Sequence, residues 1–584
     1  MARSATTRRL LEDSPPARGP FLRRVRTVLE KTPHEDLKRR LLERAKSLPA
    51  EERVDFLLTI AEGETPSSET HSGVVADVEA FVAALRRNDY PDDPWSDDEP
   101  EWVGHFETLL SHAARAFLDG ERAVAAEAFG RLLRVFELEG EVAAFCSEEP
   151  AESRVRSDLG EVLALHLRAL YETTPPQQRA ARVLEEIIAL RHIGRARVGL
   201  QAIMNADAEP LEDLEWFLPA WIKAVRGLDP DRDVRPWSVR GPLLREATLL
   251  AAGADGLGEL ARREGSEEPQ HYHEWLDALL RADRQEDAVA AAREAVGAME
   301  DPSRKARLAD RLTTLAVDGG DETLAIEASL TAWRSQPSLR RLRWLCGAGD
   351  PDDETLRARL EAENEAARRG KIRLSARLAA VLDLLLGDLA SALNRLTRAR
   401  SLGWSRGEHP GPIVFPCALL AAAELATPPQ RSLLAELWEE MDDGTDDDYV
   451  PDLEYTEQDE PESDGPGAHT RRSTEPPTLD ELLSTTLGRL ELPPGTRRRI
   501  LERARRVVEK RAAAIVSGKH RRAYARAARL AAAWTEGASL AGSPDAGPAF
   551  LRALCERHSR YSAFKREINA ISPRRISSRD STKS

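Results

Sequence analysis

Cysteine is scarce in this sequence: four residues in 584, at Cys146, Cys346, Cys417 and Cys555, with no CxxC or CxC pair. That excludes a zinc finger, a dithiol redox motif and a dense disulfide framework, and it fits a reducing cytoplasm. Long apolar runs are missing as well. The longest, around Ala418–Ala426, falls far short of the ~18–20 residues that cross a bilayer, so no membrane association is expected. Arg8-Arg9 is followed by Leu10-Leu11-Glu12-Asp13-Ser14-Pro15, which offers no apolar stretch for an export signal. Aromatics make up only 5% of the chain.

What is present is 41% hydrophobic residues and 32% charged ones, enough apolar surface to bury a core. Ala, Leu and Arg dominate, and these favour helix with little β-branched competition. The length suggests three or four units. An all-α protein is expected, and the bias of arginine over lysine is of the kind that accompanies a bacterial genome.

Punctuation and charge divide the chain. Residues 1–63 read as an N-terminal helical arm of three short helices, with Leu22, Val25, Val28 and Leu29, then Leu37, Leu41 and Leu42, then Val54, Leu57 and Leu58 at helical spacing. A helical domain follows over 74–230, interrupted by an acidic aromatic loop at 88–102. Residues 231–438 read as helical repeats and 439–478 as a disordered acidic linker with 14 Asp/Glu and no Lys or Arg between Glu439 and Asp464. A basic helical unit occupies 479–571, its start capped by Thr478 or Asp480, and 572–584 reads as a disordered tail.

The repeat signal is a small turn residue followed five residues on by Ala, then by further packing positions four and three residues later. It occurs at Gly120/Ala125/Phe129/Leu132, Asp283/Ala288/Ala292/Ala295, Gly320/Ala325/Ser329/Ala332 and Gly387/Ala392/Leu396/Ala399. This spacing matches the second helix of a tetratricopeptide repeat, where small residues let helices approach. Leu312 and Trp275 are the first-helix anchors. The expected fold is an all-α stack of helical hairpins, an irregular tetratricopeptide-like solenoid; generic Ala-rich hairpins are the alternative.

Catalytic motifs are not found. His34-Glu35 and His273-Glu274 begin like HExxH but continue to Lys38 and Asp277. His271 and His273 lack a third ligand, so they read as a helix-entry pair with solvated rings. Gly518-Lys519-His520 lacks the rest of a phosphate loop, and Gly253, Gly256 and Gly258 read as a loop between hairpins rather than a dinucleotide fingerprint. Trp216 and Trp221 read as core. No cofactor, metal or catalytic residue is expected, and the chain is read as not an enzyme.

The last 90 residues carry 22 Lys+Arg against 7 Asp+Glu, whereas the whole chain has a net charge of −16. Thr496–Arg511 places Ile500, Ala504, Val507 and Val508 on one face and arginines over much of the rest. Arg497, Arg498, Arg499, Arg505, Arg506, Lys519, Arg521 and Arg522 are the candidate contacts for a partner or for phosphates. Three readings stay open for this face: a solvated helix surface, a nucleic-acid site, and a partner for the acidic linker.

The segments ADVEAFVAALRRNDY, FLDGERAVAAEAFGRLLRVFEL and DLGEVLALHLRALYETTPPQQRAARVLEEI, with IVSGKHRRAYARAARLAAAW and FLRALCERHSRYSAFKREI near the C-terminus, resemble helical-repeat regions of bacterial SWIM zinc-finger-associated proteins. The finger's own CxC and CxH are not in this chain. The resemblance implies a stand-alone α-helical repeat protein and no reaction. The expected role is a protein-binding scaffold or adaptor, with a nucleic-acid-associated accessory protein as the alternative.

Overall fold

Helix-forming composition is realised throughout: every regular element among the described residues is helical. The computed structural model describes residues 68–571 except 91–99, 139–140, 143–144, 146–149, 192, 194–197, 229–238, 350, 405 and 442–474, together with Thr27, Lys31 and Lys38. The rest of the expected N-terminal arm, the tip of the acidic loop, most of the acidic linker and the tail lie outside the described residues.

Two compact units divide the chain, Met1–Ala278 and Leu279–Ser584. The first contains α1 Ser68–Arg86, α2 Glu101–Leu118, α3 Arg122–Leu133, α4 Leu159–Thr173, α5 Pro176–Ala189, α6 Leu200–Asn205, α7 Leu214–Arg226 and α8 Arg240–Glu264. Helix α9, Gln270–Arg281, holds the division point. The second unit continues with α10 Gln285–Ala298, α11 Pro302–Asp318, α12 Glu322–Ser335, α13 Leu339–Gly347, α14 Asp353–Arg368, α15 Ala376–Leu385, α16 Leu389–Arg398, α17 Gly411–Ala422 and α18 Leu433–Glu439. It ends with α19 Leu479–Gly488, α20 Pro494–Ser517, α21 Tyr524–Leu540, α22 Ala546–Arg557 and α23 Ser562–Ile571.

One backbone device makes the hairpins. The four turn residues read from sequence, Gly120, Asp283, Gly320 and Gly387, all have left-handed φ, at 87°, 57°, 72° and 76°. In each, the next N–H bonds the carbonyl five residues back: Glu121 to Ala116 at 2.9 Å, Arg284 to Leu279 at 2.9 Å, Asp321 to Ala316 at 2.9 Å and Asp388 to Asp383 at 2.8 Å. That six-to-one bond is the Schellman ending of a helix. The same turn recurs at Asn88, Gly370, Glu424, Lys519 and Gly542. After three of the four sequence-read turns the following residue is the N-cap of the next helix with an acidic side chain, and Asp321 and Asp388 accept from Leu324 and Ser391. The chain therefore reverses within two residues.

The packing positions behave accordingly. Ala125, Phe129, Leu132, Ala288, Ala292, Ala295, Ala325, Ser329, Ala332, Ala392 and Leu396 are buried, as are Trp275 and Leu312. Ala399 departs from the register, because α16 stops at Arg398 and Ala399 turns to extended backbone at φ −64°, ψ 159°.

In the second unit α10 to α13 pack sequentially, whereas the last helices fold back on α15 to α18. The basic stretch 479–571, set apart by its charge, shares one core with the residues before the linker, from Trp333 to Ile568. Helix α17 is the middle of it. Every residue from Ile413 to Ala422 is buried, and α17 packs against α18, α19, α20 and α21. Among the described residues no helix is long and apolar enough to cross a membrane.

Polar groups link elements distant in sequence. Arg341 grips Asp310 through Nε and a terminal nitrogen at 2.8–3.1 Å, joining α13 to α11. Arg334 does the same for the buried Glu363 of α14. Three carboxylates cap helix or loop amides that are not their own. Glu107 takes the N–H groups of Arg156 and Ser157, Glu246 those of Leu200 and Gln201, and Glu536 that of Leu433. Burial outweighs the two amide bonds at Glu246 and holds its pKa above the usual carboxylate range.

Gly320 and Gly297 separate backbone from packing effects, since a Cβ at either would meet nothing within 4 Å. Gly320→Ala should cost about 1–2 kcal/mol by forcing a side chain into the left-handed region. Gly297→Ala, in the last turn of α10 with right-handed backbone, should not destabilise and should gain up to about 0.5 kcal/mol. Denaturant titration reads both, and equal effects would contradict the turn assignment. Ala325→Trp, at the buried seam, should overpack it and cost roughly 1–3 kcal/mol; an unchanged Tm would contradict the register.

Candidate functional site

The basic helix α20 begins at Pro494, where a missing N–H costs nothing. Ile500, Ala504, Val507 and Val508 are buried as the spacing predicts. The arginines sort into two groups. Arg497 is spent internally, its Nε donating to the Leu492 carbonyl at 2.9 Å and its guanidinium meeting Glu424 at 2.5 Å. Arg505 lies 3.4 Å from Glu509, Arg506 2.8 Å from Glu502, and Arg499 donates to the Gly495 carbonyl. Arg498, Lys519, Arg521 and Arg522 are exposed and have no polar side-chain partner among the described residues.

The Gly518-Lys519-His520 sequence turns out to be a Schellman ending, with Lys519 at φ 56° and the His520 N–H on the Ile515 carbonyl at 3.0 Å.

Between α16 and α20 runs a groove of about 250 Å³ lined by Thr397, Arg503, Arg506, Val507 and Lys510. Of these, sequence reading singled out Arg506 as a contact and Val507 as a buried position. Arg503 reaches the side-chain oxygen of Asn394 on α16. Spacing alone could have added Arg503 and Lys510, because Arg499, Arg503, Arg506 and Lys510 lie at four-, three- and four-residue steps on one face. Nothing local marks Thr397.

Arg511 sits one residue beyond and points inward. It stacks 4.6 Å from the Trp404 ring centre and donates to the Ser401 carbonyl at 3.0 Å. Burial, with a smaller contribution from Arg526, pushes its pKa down to about 10. Trp404 in turn stacks on His409, which donates from Nε2 to the Arg400 carbonyl at 2.8 Å and accepts from the Gly411 N–H at Nδ1. This cluster fixes the loop after α16 to α20, next to the groove.

A second surface lies on α7 of the first unit. Phe217, Leu218, Trp221 and Val225 are buried, with Phe217 edge-on to Tyr171 at 4.9 Å. Trp216 does not join them. It is 82% exposed, so the expectation that both tryptophans are core holds for Trp221 only. One helical step is 100°, and Trp216 falls on the solvent side with Pro219, Ala220 and Lys223. Exposed Glu212 and Glu215 flank it.

The histidine pair is also unlike the expectation. Both rings are buried, not solvated. His271 is fully enclosed, its ring nitrogens have no hydrogen-bond partner, and Glu268 lies at 3.6 Å. Residues two apart on a helix diverge, which keeps the two imidazoles from converging on an ion. Among the described residues no group of three or more His, Cys, Asp or Glu is placed to hold a metal.

Gly253, Gly256 and Gly258 lie within α8 rather than in a loop. Gly253 kinks the helix at φ 61°, ψ −157°. A Cβ on Gly258 would come within 2.7 Å of the Trp275 indole, so this glycine permits close approach of α8 and α9.

Burial pushes the His271 pKa down to about 4. The unfolded chain, titrating near 6.5, binds this proton first as pH falls, so stability is full above about pH 6.5 and declines below it. At about 1.4 kcal/mol per unit, acidification to pH 5 should cost about 2 kcal/mol at this residue. Whatever its effect at pH 7.5, His271→Leu should remove that part of the acid sensitivity; identical pH slopes in denaturant titrations would contradict it.

No family model matches the chain, and no curated protein matches it. A solved structure described as a "Circular tandem repeat protein with novel repeat topology and enhanced subunit contact surfaces" is similar at 16% identity, over 87% of this chain and 100% of that one, with a TM-score of 0.14. A score that low carries no argument about function.

Proposed function

We propose that this chain is a non-catalytic helical-repeat scaffold that binds another protein, and that Trp216 anchors the partner. The observation that carries the reading is a large apolar side chain held in solvent on a helix whose opposite face is locked by Phe217, Leu218 and Trp221. Tyr171 donates to the Glu212 carbonyl at 2.6 Å and Arg179 reaches Asp213 at 3.3 Å, so the start of α7 is pinned from the first unit's core. A rigidly presented tryptophan loses little entropy on binding and has a large area to bury, as interface hot spots do. Pro219 and Ala220, one turn on, extend the apolar surface without long side chains to order.

The non-catalytic part of the reading rests on where reactive groups sit. Cys346 and Cys417 are buried, and burial pushes both thiols up to about 12, away from nucleophilic thiolate. His166 is bound to Glu186 at 3.1 Å within the first unit's core, and His409 is consumed by backbone hydrogen bonds.

The test is capture of partners from nuclease-treated host lysate on wild-type chain and on Trp216→Ala. The variant should lose a specific protein and, with that protein purified, bind it at least about 30-fold more weakly, a hot-spot effect of 2 kcal/mol. Its Tm should change little, because the ring is 82% exposed. Retention of the same proteins at the same affinity would remove Trp216 from the interface.

A further inference from the structure

We infer that the groove between α16 and α20 is a docking site for the phosphate backbone of nucleic acid. Its lining contains three cationic side chains, Arg503, Arg506 and Lys510, the Thr397 hydroxyl and the apolar Val507, and no carboxylate. The Thr397 hydroxyl donates to the Asn394 carbonyl at 3.0 Å, so the donors a phosphate oxygen would meet here are those of the three cations.

The cations form a row. Arg499, Arg503, Arg506 and Lys510 follow one another up the same side of α20, rising about 16 Å from first to last at about 1.5 Å per residue. A nucleic-acid strand presents a phosphate about every 3.4 Å of axis, so the row spans about five of them. Beyond the helix end, Lys519, Arg521 and Arg522 are exposed as well.

These cations are also less neutralised than others on the molecule. Elsewhere exposed arginines are held by a carboxylate one turn away, as are Arg131 by Glu127 on α3, Arg357 by Glu361 on α14 and Arg369 by Glu365 at its end. In the groove only Arg506 has such a partner, Glu502 at 2.8 Å. Arg503 is tied to the neutral Asn394 side chain, and Lys510 has no polar partner among the described residues. Their charge is available to an incoming anion.

The same lining says what the site does not read. It holds no aromatic ring on which a base could stack and no acidic or amide group to sort base edges. Recognition falls on the backbone, so it is sequence-independent and salt-sensitive. The Arg511–Trp404 contact positions this surface, because it fixes the loop following α16 against α20.

The experiment measures binding of the full chain to generic duplex DNA, duplex RNA and a single strand, each in two unrelated sequences, from 50 to 300 mM salt. Both sequences of each class should bind alike, with affinity falling steeply as salt rises. Arg503→Gln, Arg506→Gln and Lys510→Gln together should weaken binding at least tenfold at 50 mM salt and reduce the log–log salt slope by about 2–3, at 0.9 per phosphate contact. Arg87→Gln, Arg182→Gln and Lys223→Gln, equal in charge but in the other unit, should leave both unchanged. Lys510→Glu alone, which breaks no polar contact, should weaken binding even if the triple variant folds poorly. Absence of salt-sensitive binding, or equal loss in the control set, overturns the proposal. A further variant neutralises the 12 carboxylates between Asp442 and Asp464. Binding that emerges only there would give the groove to the chain's own acidic segment and would also overturn it.

Discussion

A single left-handed residue at a helix end is the constraint on which the rest of this structure depends. It closes the last turn with a six-to-one hydrogen bond and reverses the chain so tightly that the next helix must lie against the one before. Close antiparallel helices favour a small side chain at the first contact after the turn, hence Ala125, Ala288, Ala325 and Ala392 on α3, α10, α12 and α16. Glycine meets the backbone requirement without strain at Gly120, Gly320 and Gly387. At Glu424 and Lys519 an ordinary side chain accepts the same conformation, at a cost of roughly 1–2 kcal/mol each, which the surrounding core must over-determine.

Alanine-rich seams bury little area per residue, so long polar side chains supply connections that apolar contact does not. Arg341 and Asp310 link alternate helices, as do Arg334 and Glu363, and Glu107, Glu246 and Glu536 satisfy amides of other segments. Such groups are expensive to desolvate and dear to break, since removing one partner strands the other. They fix which helix meets which more than they add net stability. The buried His271 fits this economy poorly, having no hydrogen bond of its own, and its enclosure ties the first unit's stability to pH.

Much of this was legible in the sequence because it is local. A turn residue and alanines at set distances lie within one hairpin, and helical periodicity placed Ile500, Ala504, Val507 and Val508 on the buried side of α20 correctly. What sequence misplaced depends on neighbours. Trp216 and Trp221 belong to one apolar run, but the core reaches only one side of α7, and the 100° step to Phe217 decides which tryptophan it takes. The histidine pair looked solvated because flanking charges resemble a helix entry; Arg245 and Glu268 pair with each other there at 2.6 Å and roof over His271. The groove needs Thr397, more than 100 positions from Arg503, and no local pattern joins them.

Charge composition also hid a continuity. The acidic stretch after Met441 looks like a boundary, and a boundary in composition suggests a boundary in folding. Yet the Leu433 N–H donates to Glu536, Gly537 lies against Leu419, and Arg343 holds the Pro477 carbonyl. The core is sewn across that stretch by side chains rather than by the backbone. Proteolytic nicking between residues 442 and 474 should therefore leave a single particle on gel filtration, held by contacts among α15 to α23. Expressed apart, the two pieces would each expose half of a core and would behave as complementing fragments, so the basic C-terminal helices are not a module that can be cut out and studied alone.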